Sequence, residues 1–338
     1  MLRDLEQEIA QLENPSKITS IFMGGGTPSL FSPQSIERLL TAISKQLTLD
    51  PDVEITLEAN PGTVDYPRFT DFFKAGVNRL SMGVQSFQDE QLKALGRIHA
   101  GDEAKRAIDA AIQAGFVNFN LDLMHGLPKQ TVSAAITDLE TAISFSPTHL
   151  SWYQLTIEPN TYFYRYPPLL PSDEGLADIQ EAGQIVLENA GFEQYEVSAY
   201  CRGKEKQCRH NLNYWQFGDY LAIGAGAHGK ATTSEGIVRY WKHRVPASYL
   251  KQRESYRAES RVISQNELPF EYLLNALRLK EKVLESHFHA ATGLKFCNID
   301  EKIHAAINKG LLLRDDKSIE ATKLGYRFLN ELLTLFLA

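Results

Sequence analysis

The chain has 338 residues, with 35 Lys and Arg against 42 Asp and Glu, a net charge of −7. Hydrophobic residues make up 43% and charged residues 23%, which excludes a disordered chain. No run of roughly 18 apolar residues offers a membrane-spanning helix, and the acidic balance argues against nucleic acid held by bulk charge.

At roughly 150 residues per domain the length suits about two domains, or one α/β barrel with an appendage. The opening Met1-Leu-Arg-Asp-Leu-Glu-Gln-Glu-Ile alternates charged and apolar residues, as an amphipathic helix does and a signal peptide does not. Ile18–Met23 is β-prone and runs into Gly24-Gly25-Gly26-Thr27-Pro28. Helical spacing follows over Pro33–Leu47, then alternation over Val53–Glu58. Asp65–Ala75 reads as a helix stopped by Gly76 and Val77–Val84 as a strand. Asp89–Leu95 and Asp102–Ala114 are helical, Val117–Met124 a strand, Ser133–Ser144 a helix, His149–Thr156 a strand and Asp173–Asn189 a helix. Such alternation predicts a parallel sheet with right-handed crossovers. Five units favour a barrel or partial barrel, with a doubly wound open sheet as the alternative.

Beyond residue 190 the pattern changes. Phe192–Tyr200 is strand-like, Cys201–Asn211 is polar and basic, and Leu221–His228 reads as a small-residue strand entering a Gly-rich turn. Glu267–Leu279 is helical. Helix Ile299–Lys309, a short strand over 311–314 and helix Ala321–Phe336 form a winged-helix-like order. The segment is not basic, so a helical cap without a nucleic-acid role is the preferred reading.

Ligands of parallel α/β folds bind at the carboxyl ends of the strands. Here those ends carry the glycine triplet with Thr27, then Glu58, Gln85, Asp122 and Thr156, with Arg97 after the third strand. Consecutive glycines let a ligand reach backbone N–H and C=O groups, although the triplet is neither a dinucleotide fingerprint nor a P-loop. A carboxylate on a buried strand needs a partner. Arg79 or Arg97 would supply a salt bridge; a ligand ammonium or ribose would supply a function. A zwitterionic amino acid joined to a nucleoside, such as S-adenosylmethionine, matches this set. Two carboxylates at a barrel mouth also suit glycoside hydrolysis.

Taken in order, five segments resemble one family. They are Phe22-Met-Gly-Gly-Gly-Thr-Pro-Ser29, Leu57-Glu-Ala-Asn-Pro-Gly62, Arg79-Leu-Ser-Met-Gly-Val-Gln-Ser-Phe87, Leu121-Asp-Leu-Met-His-Gly-Leu-Pro128 and His210-Asn-Leu-Asn-Tyr-Trp215. They are similar to the radical S-adenosylmethionine proteins related to oxygen-independent coproporphyrinogen III oxidase, and most of all to the haem-chaperone branch. The resemblance runs through Asn275–Leu279 and Leu324–Phe336, so it covers essentially the whole chain. It implies an incomplete parallel (β/α)6 barrel missing its first strand, over 1–200. A linking aromatic and Gly-rich segment (201–262) and a smaller α+β, winged-helix-like C-terminal domain (263–338) follow. It places S-adenosylmethionine on Gly25, Gly26, Thr27, Glu58, Gln85, Arg97 and Asp122, with Thr156 a weaker candidate.

The family's first strand and Cys-x3-Cys-x2-Cys loop are expected upstream of Met1. Retention of the other motifs favours a chain that starts late over a natural loss. Cys201, Cys208 and Cys297 have neither the spacing nor the place for a [4Fe–4S] cluster, which needs three thiolates. Ordinary reduced thiols of a cytoplasmic protein are the expectation. The cluster thus belongs to the full-length family, and this chain is expected to be non-catalytic.

Haem takes His, Cys, Met or Tyr as axial ligand. The resemblance makes His210, beside Tyr214 and Trp215, the first choice, and His228 the second. Lys204, Lys206 and Arg209 would meet the propionates, while His287 and His289 read as surface residues. The expected activity is delivery of haem to respiratory haem proteins, membrane-associated partners among them. Oxygen-independent coproporphyrinogen III oxidase is the enzyme alternative, and a cluster-less S-adenosylmethionine-binding regulator the third.

Overall fold

A computed structural model of the protein describes residues 1–13, 16–63 and 68–337. They form two compact units: 18–41 with 49–208, and 1–17 with 42–48 and 209–338.

The first unit is built on a seven-stranded sheet in the order β1-β2-β3-β4-β5-β7-β6. Its strands are β1 (Ile18–Met23), β2 (Leu49–Ala59), β3 (Arg79–Gln85), β4 (Phe119–His125), β5 (His149–Gln154), β6 (Glu193–Gln194) and β7 (Ala199–Cys201). β1 to β5 run parallel in sequence order, and the sheet does not close on itself. Helices Pro33–Gln46, Arg68–Lys74, Gly101–Gln113, Val132–Ser144 and Asp173–Asn189 follow the strands. This is the partial barrel the alternation predicts. Residues 65–67 of the helix expected from Asp65 lie outside the described residues. The strand-like stretch Phe192–Tyr200 is instead a hairpin, with β7 antiparallel to both β5 and β6.

Alternation sorts each parallel strand into two faces. Ile55 and Leu57, Leu80, Met82 and Val84, Leu121 and Leu123, and Leu150 and Trp152 pack in one core with Phe69, Phe72, Ile108, Leu139 and Ile179 of the helices. The opposite positions are largely polar: Glu54, Thr56 and Glu58; Arg79 and Ser81; Asn120 and Asp122; His149, Ser151 and Tyr153. Burying such groups is tolerable only where they bond to one another or to a ligand. The polar face therefore positions the candidate site.

The second unit holds two antiparallel sheets. One orders β10 (Arg257–Val262), β9 (Gly236–Lys242) and β8 (His228–Thr233); the other orders β11 (Val283–Leu284), β13 (Ser318–Ala321) and β12 (Leu312–Arg314). Helix Leu2–Ile9 belongs to this unit through a buried charge cluster. Lys242 Nζ bonds Asp4 Oδ1 and Glu8 Oε1, Arg257 forks onto Glu8, and Tyr249 Oη donates to Asp4. Burial pushes the Glu8 carboxyl up, but the hydrogen bonds from Arg257 and Lys242 outweigh it and hold the group below its ordinary value.

Two expectations need correction here. Leu221–Ala227 is no strand, and only His228 begins one. Side chains take two of its donors in place of a ladder: Ala222 N–H goes to Tyr240 Oη and Gly224 N–H to Asp4 Oδ2. Ala321–Phe336 is not one helix but the end of β13 and two short helices, Lys323–Arg327 and Leu329–Thr334. Thr322 caps the first by accepting Gly325 N–H, and Phe328 leaves helical geometry at φ −112°.

Candidate functional site at the carboxyl ends of the strands

β1 ends in the glycine turn. Gly25 and Gly26 take φ of +77° and +58°, and a Cβ on either would meet nothing within 4 Å, so their backbone lies open. Gly24 is different: a Cβ there would sit 2.4 Å from the Phe22 ring and 2.9 Å from the Glu58 carboxyl. Glu58 enters this turn and accepts Gly25 N–H at 2.8 Å through Oε2. The partner of Glu58 is thus a backbone amide. Arg79 instead lies 3.9 Å from Glu54, buried with it.

Asp122 accepts from Asn120 Nδ2 at 2.8 Å and from Ser81 Oγ at 3.2 Å. Burial raises the Asp122 carboxyl, against the pull of these hydrogen bonds. Burial likewise raises Glu58; the Gly25 amide opposes this, and the Asp122 charge adds to it. Two half-buried carboxylates that resist ionisation beside each other favour a cationic ligand, because a cation relieves both desolvation and repulsion. The open glycine backbone beside Glu58 suits a ligand ammonium, which would meet a backbone carbonyl and a carboxylate there.

Gln85 ends β3 at φ +69° and is 4% exposed. Tyr153 Oη donates to its Oε1 at 2.6 Å. Tyr153 is raised to about 12, mainly by burial, with the Asp122 and Glu58 charges adding and Arg97 and Gln85 opposing. Four of the predicted residues therefore act on one tyrosine that sequence reasoning missed. Its inward parity on β5, shared with His149 and Ser151, was the available signal. Arg97 follows helix Asp89–Ala94 and is exposed. Thr27 precedes a short turn, Pro28–Leu30, and Thr156 is exposed with its hydroxyl on Glu158.

A second polar layer lies deeper on the same face. Asn120 Nδ2 also donates to Ser81 Oγ, while its Oδ1 accepts from Ser151 Oγ at 3.1 Å and from His149 Nδ1 at 2.7 Å. His149 Nε2 meets Tyr195 Oη at 2.9 Å, and the same oxygen accepts Cys208 N–H. Cys208 Sγ donates to Glu54 Oε1 at 3.5 Å.

The three thiols do not fit a [4Fe–4S] cluster. Cys201 is buried in β7 and raised to about 11 by burial and then by Glu193 and Glu205, Cys208 is buried against Glu54, and Cys297 is exposed. Among the described residues no three His, Cys, Asp or Glu side chains are placed to hold a metal ion.

Comparison with known proteins decides the family. Residues 2–142 match the Radical SAM superfamily and residues 263–328 the HemN C-terminal domain. The chain is 49% identical to heme chaperone HemW of Haemophilus influenzae over 100% of its length and 88% of that protein. It is equally 49% identical to heme chaperone HemW of Escherichia coli, covering 89% of it. This chain belongs to the HemW family. Its fold matches coproporphyrinogen III oxidase (HemN) of Escherichia coli, a radical SAM enzyme, with a TM-score of 0.80 at 21% identity, over 99% of this chain and 82% of that one.

In this HemW-family chain the histidine motif forms helix Arg209–Trp215. His210 is half-buried, with its ring edge-on to Tyr214 at 4.6 Å, and Tyr214 is edge-on to Tyr220 at 4.4 Å. Trp215 is covered by the Arg278 guanidinium at 4.3 Å. Lys204 and Lys206 form a short turn in the sheet unit, whereas Arg209 opens the histidine helix in the other. His228 is exposed at the start of β8 and stacks on Trp241 at 6.2 Å. Both rings line a cleft of about 300 Å³ with Tyr220, Arg239 and Arg261. His287 and His289 are exposed, as expected.

Proposed function

We propose that this chain is a haem chaperone, which binds haem through the His210 segment and hands it to respiratory haem proteins, membrane-associated ones among them, from the cytoplasm. The observation that carries the reading is the 49% identity, over the whole chain, to two proteins named heme chaperone HemW. The His210–Tyr214–Tyr220 succession of rings supports it: an imidazole ligand beside aromatic faces suits a planar macrocycle. No described helix is long and apolar enough to cross a membrane.

The mouth of the sheet holds S-adenosylmethionine in this reading. The Gly25 and Gly26 backbone and Glu58 take the amino group, Arg97 forks onto the carboxylate, and Gln85 and Asp122 take the ribose. Thr27 lines the same turn. S-adenosylmethionine bound to a cluster supplies one-electron chemistry. The thiols of this chain do not fit that cluster.

Transfer tests the proposal. The haem-loaded chain is mixed with an apo haem protein and the Soret bands are followed. Movement of haem to the acceptor faster than from free haem supports the reading; retention on the chain opposes it. The fold shared with HemN keeps one rival, oxidative decarboxylation of coproporphyrinogen III. Anaerobic product analysis separates the two, because a decarboxylated porphyrinogen would favour the enzyme.

A further inference from the structure

Gln85 is held in a costly backbone conformation. Its φ is +69°, and Ser86 N–H bonds back to Val84 C=O at 2.9 Å, closing a γ-turn about a non-glycine residue. Turns of this hand are rare and strained, and they persist where their surroundings over-determine them. The surroundings here do so from three sides. His99 Nε2 lies 3.2 Å from the same Val84 carbonyl. The buried Asp138 of helix Val132–Ser144 accepts Ser86 Oγ–H at 2.7 Å and Phe87 N–H at 2.8 Å. Tyr153 holds the Gln85 amide oxygen. On the amide's other side Gln85 Nε2 lies over Gly83, 3.1 Å from where a Cβ would stand, and Asn60 Oδ1 lies 2.9 Å from that same point. The amide oxygen faces a donating hydroxyl, which sets the amide's orientation.

We propose that Tyr153 is a positioning residue that locks the Gln85 amide with its N–H groups, never its oxygen, turned to the nucleoside ligand. The site therefore selects a ligand acceptor, such as a ribose oxygen, at that point. His99 and Asp138 hold the turn, and Tyr153 sets the polarity of what the turn presents. The inference rests on the reading of this mouth as the S-adenosylmethionine site and adds a residue to it.

The probe is S-adenosylhomocysteine, whose sulfur is uncharged, followed by saturation-transfer NMR with the full chain; weak binding suffices for this measurement. Tyr153→Phe removes only the hydroxyl. Its loss weakens the ligand about 3- to 10-fold, the size of one hydrogen bond. In a Gln85→Ala background the same change costs less than about 2-fold, because Tyr153 acts through Gln85. Equal losses in both backgrounds would show that Tyr153 touches the ligand itself, and no loss in the native background would show that Gln85 needs no orienting. Either result overturns the proposal. Gln85→Glu is a second, independent variant: it keeps the acceptor for Tyr153 and removes the donor, so it binds as poorly as Gln85→Ala. Unchanged affinity would reverse the assigned polarity. Absence of any signal with the unmodified chain defeats the parent reading, and the inference with it. That outcome differs from every failure of the inference alone.

Discussion

His149 Nδ1 and Asn120 Oδ1 lie 2.7 Å apart at the base of the polar face, which fixes the tautomer of a fully buried histidine. Nδ1–H donates to Asn120, so Nε2 accepts the Tyr195 hydroxyl. The ring is therefore held neutral. Burial, followed by the Arg79 charge, places it well below an ordinary histidine.

Acid stability follows from this. His125 is likewise lowered by burial, from 6.5 to about 4. Unfolded histidines take protons near pH 6.5, whereas these two stay neutral while folded. Between roughly 6.5 and 4 the unfolded chain binds more protons, so stability rises with pH and is lost as pH falls through that window. His125 contributes on the order of 3 kcal/mol to that loss, and His149 adds to it in the same direction. Denaturant midpoints between pH 7 and 4.5 are expected to fall steeply, and His125→Gln to flatten the curve. Parallel curves for the two proteins would contradict this.

Gly24→Ala tests the glycine turn. The added methyl meets Phe22 and the Glu58 carboxyl, yet Gly24, unlike Gly25 and Gly26, is not at positive φ. Damage should stay local: Glu58 is displaced, S-adenosylhomocysteine binding weakens at least about 10-fold, and the thermal midpoint moves by only a few degrees. Undiminished binding would separate Glu58 from the ligand.

Ligand affinity should also depend on pH. Glu58 and Asp122 are both raised, so fewer carboxylates are charged on the acid side of neutrality. Affinity for S-adenosylmethionine and for S-adenosylhomocysteine should both climb as pH rises toward neutrality, because each carries the amino group that ionised Glu58 holds. A flat profile would remove Glu58 from the ligand's amino group.

Lys242→Met tests the buried cluster. Lys242, Asp4 and Glu8 are each at most 1% exposed, and two carboxylates would be left with one cation, Arg257. Breaking one side of a buried ion network costs about 3–5 kcal/mol. Thermal unfolding should begin some 10 °C lower, with His210 haem binding intact below that temperature. A shift under 2 °C would mean that the cluster adds little.

Much of this was legible in the sequence, and the reason is local. Strand and helix periods differ, and glycines mark where each stops, so Ile18–Met23 and Asp173–Asn189 are found with the bounds the pattern predicts. The carboxyl ends of strands are also local, which is why Glu58 and Gln85 stand at the ends of β2 and β3 as expected; Asp122, expected at a strand end, lies midway along β4, which runs on to His125. What escaped depends on distant pairings. Of the strand expected at Leu221–His228 only His228 forms one, and Asp4, over 200 residues away, takes the Gly224 amide proton that a ladder would use. Tyr153 matters through Gln85, 68 residues earlier, and Lys242 through the first turns of the chain. No window of sequence shows those partners.

The measurement closest to the central claim is a haem titration of this chain followed by its Soret band, beside His210→Ala. One haem per chain is expected, with a Soret position typical of histidine ligation, and the variant should lose that spectrum together with at least about 10-fold of affinity. An unchanged spectrum and affinity in His210→Ala would take the haem away from the His210 segment, and no saturable haem binding by the unmodified chain would contradict its role as a haem chaperone.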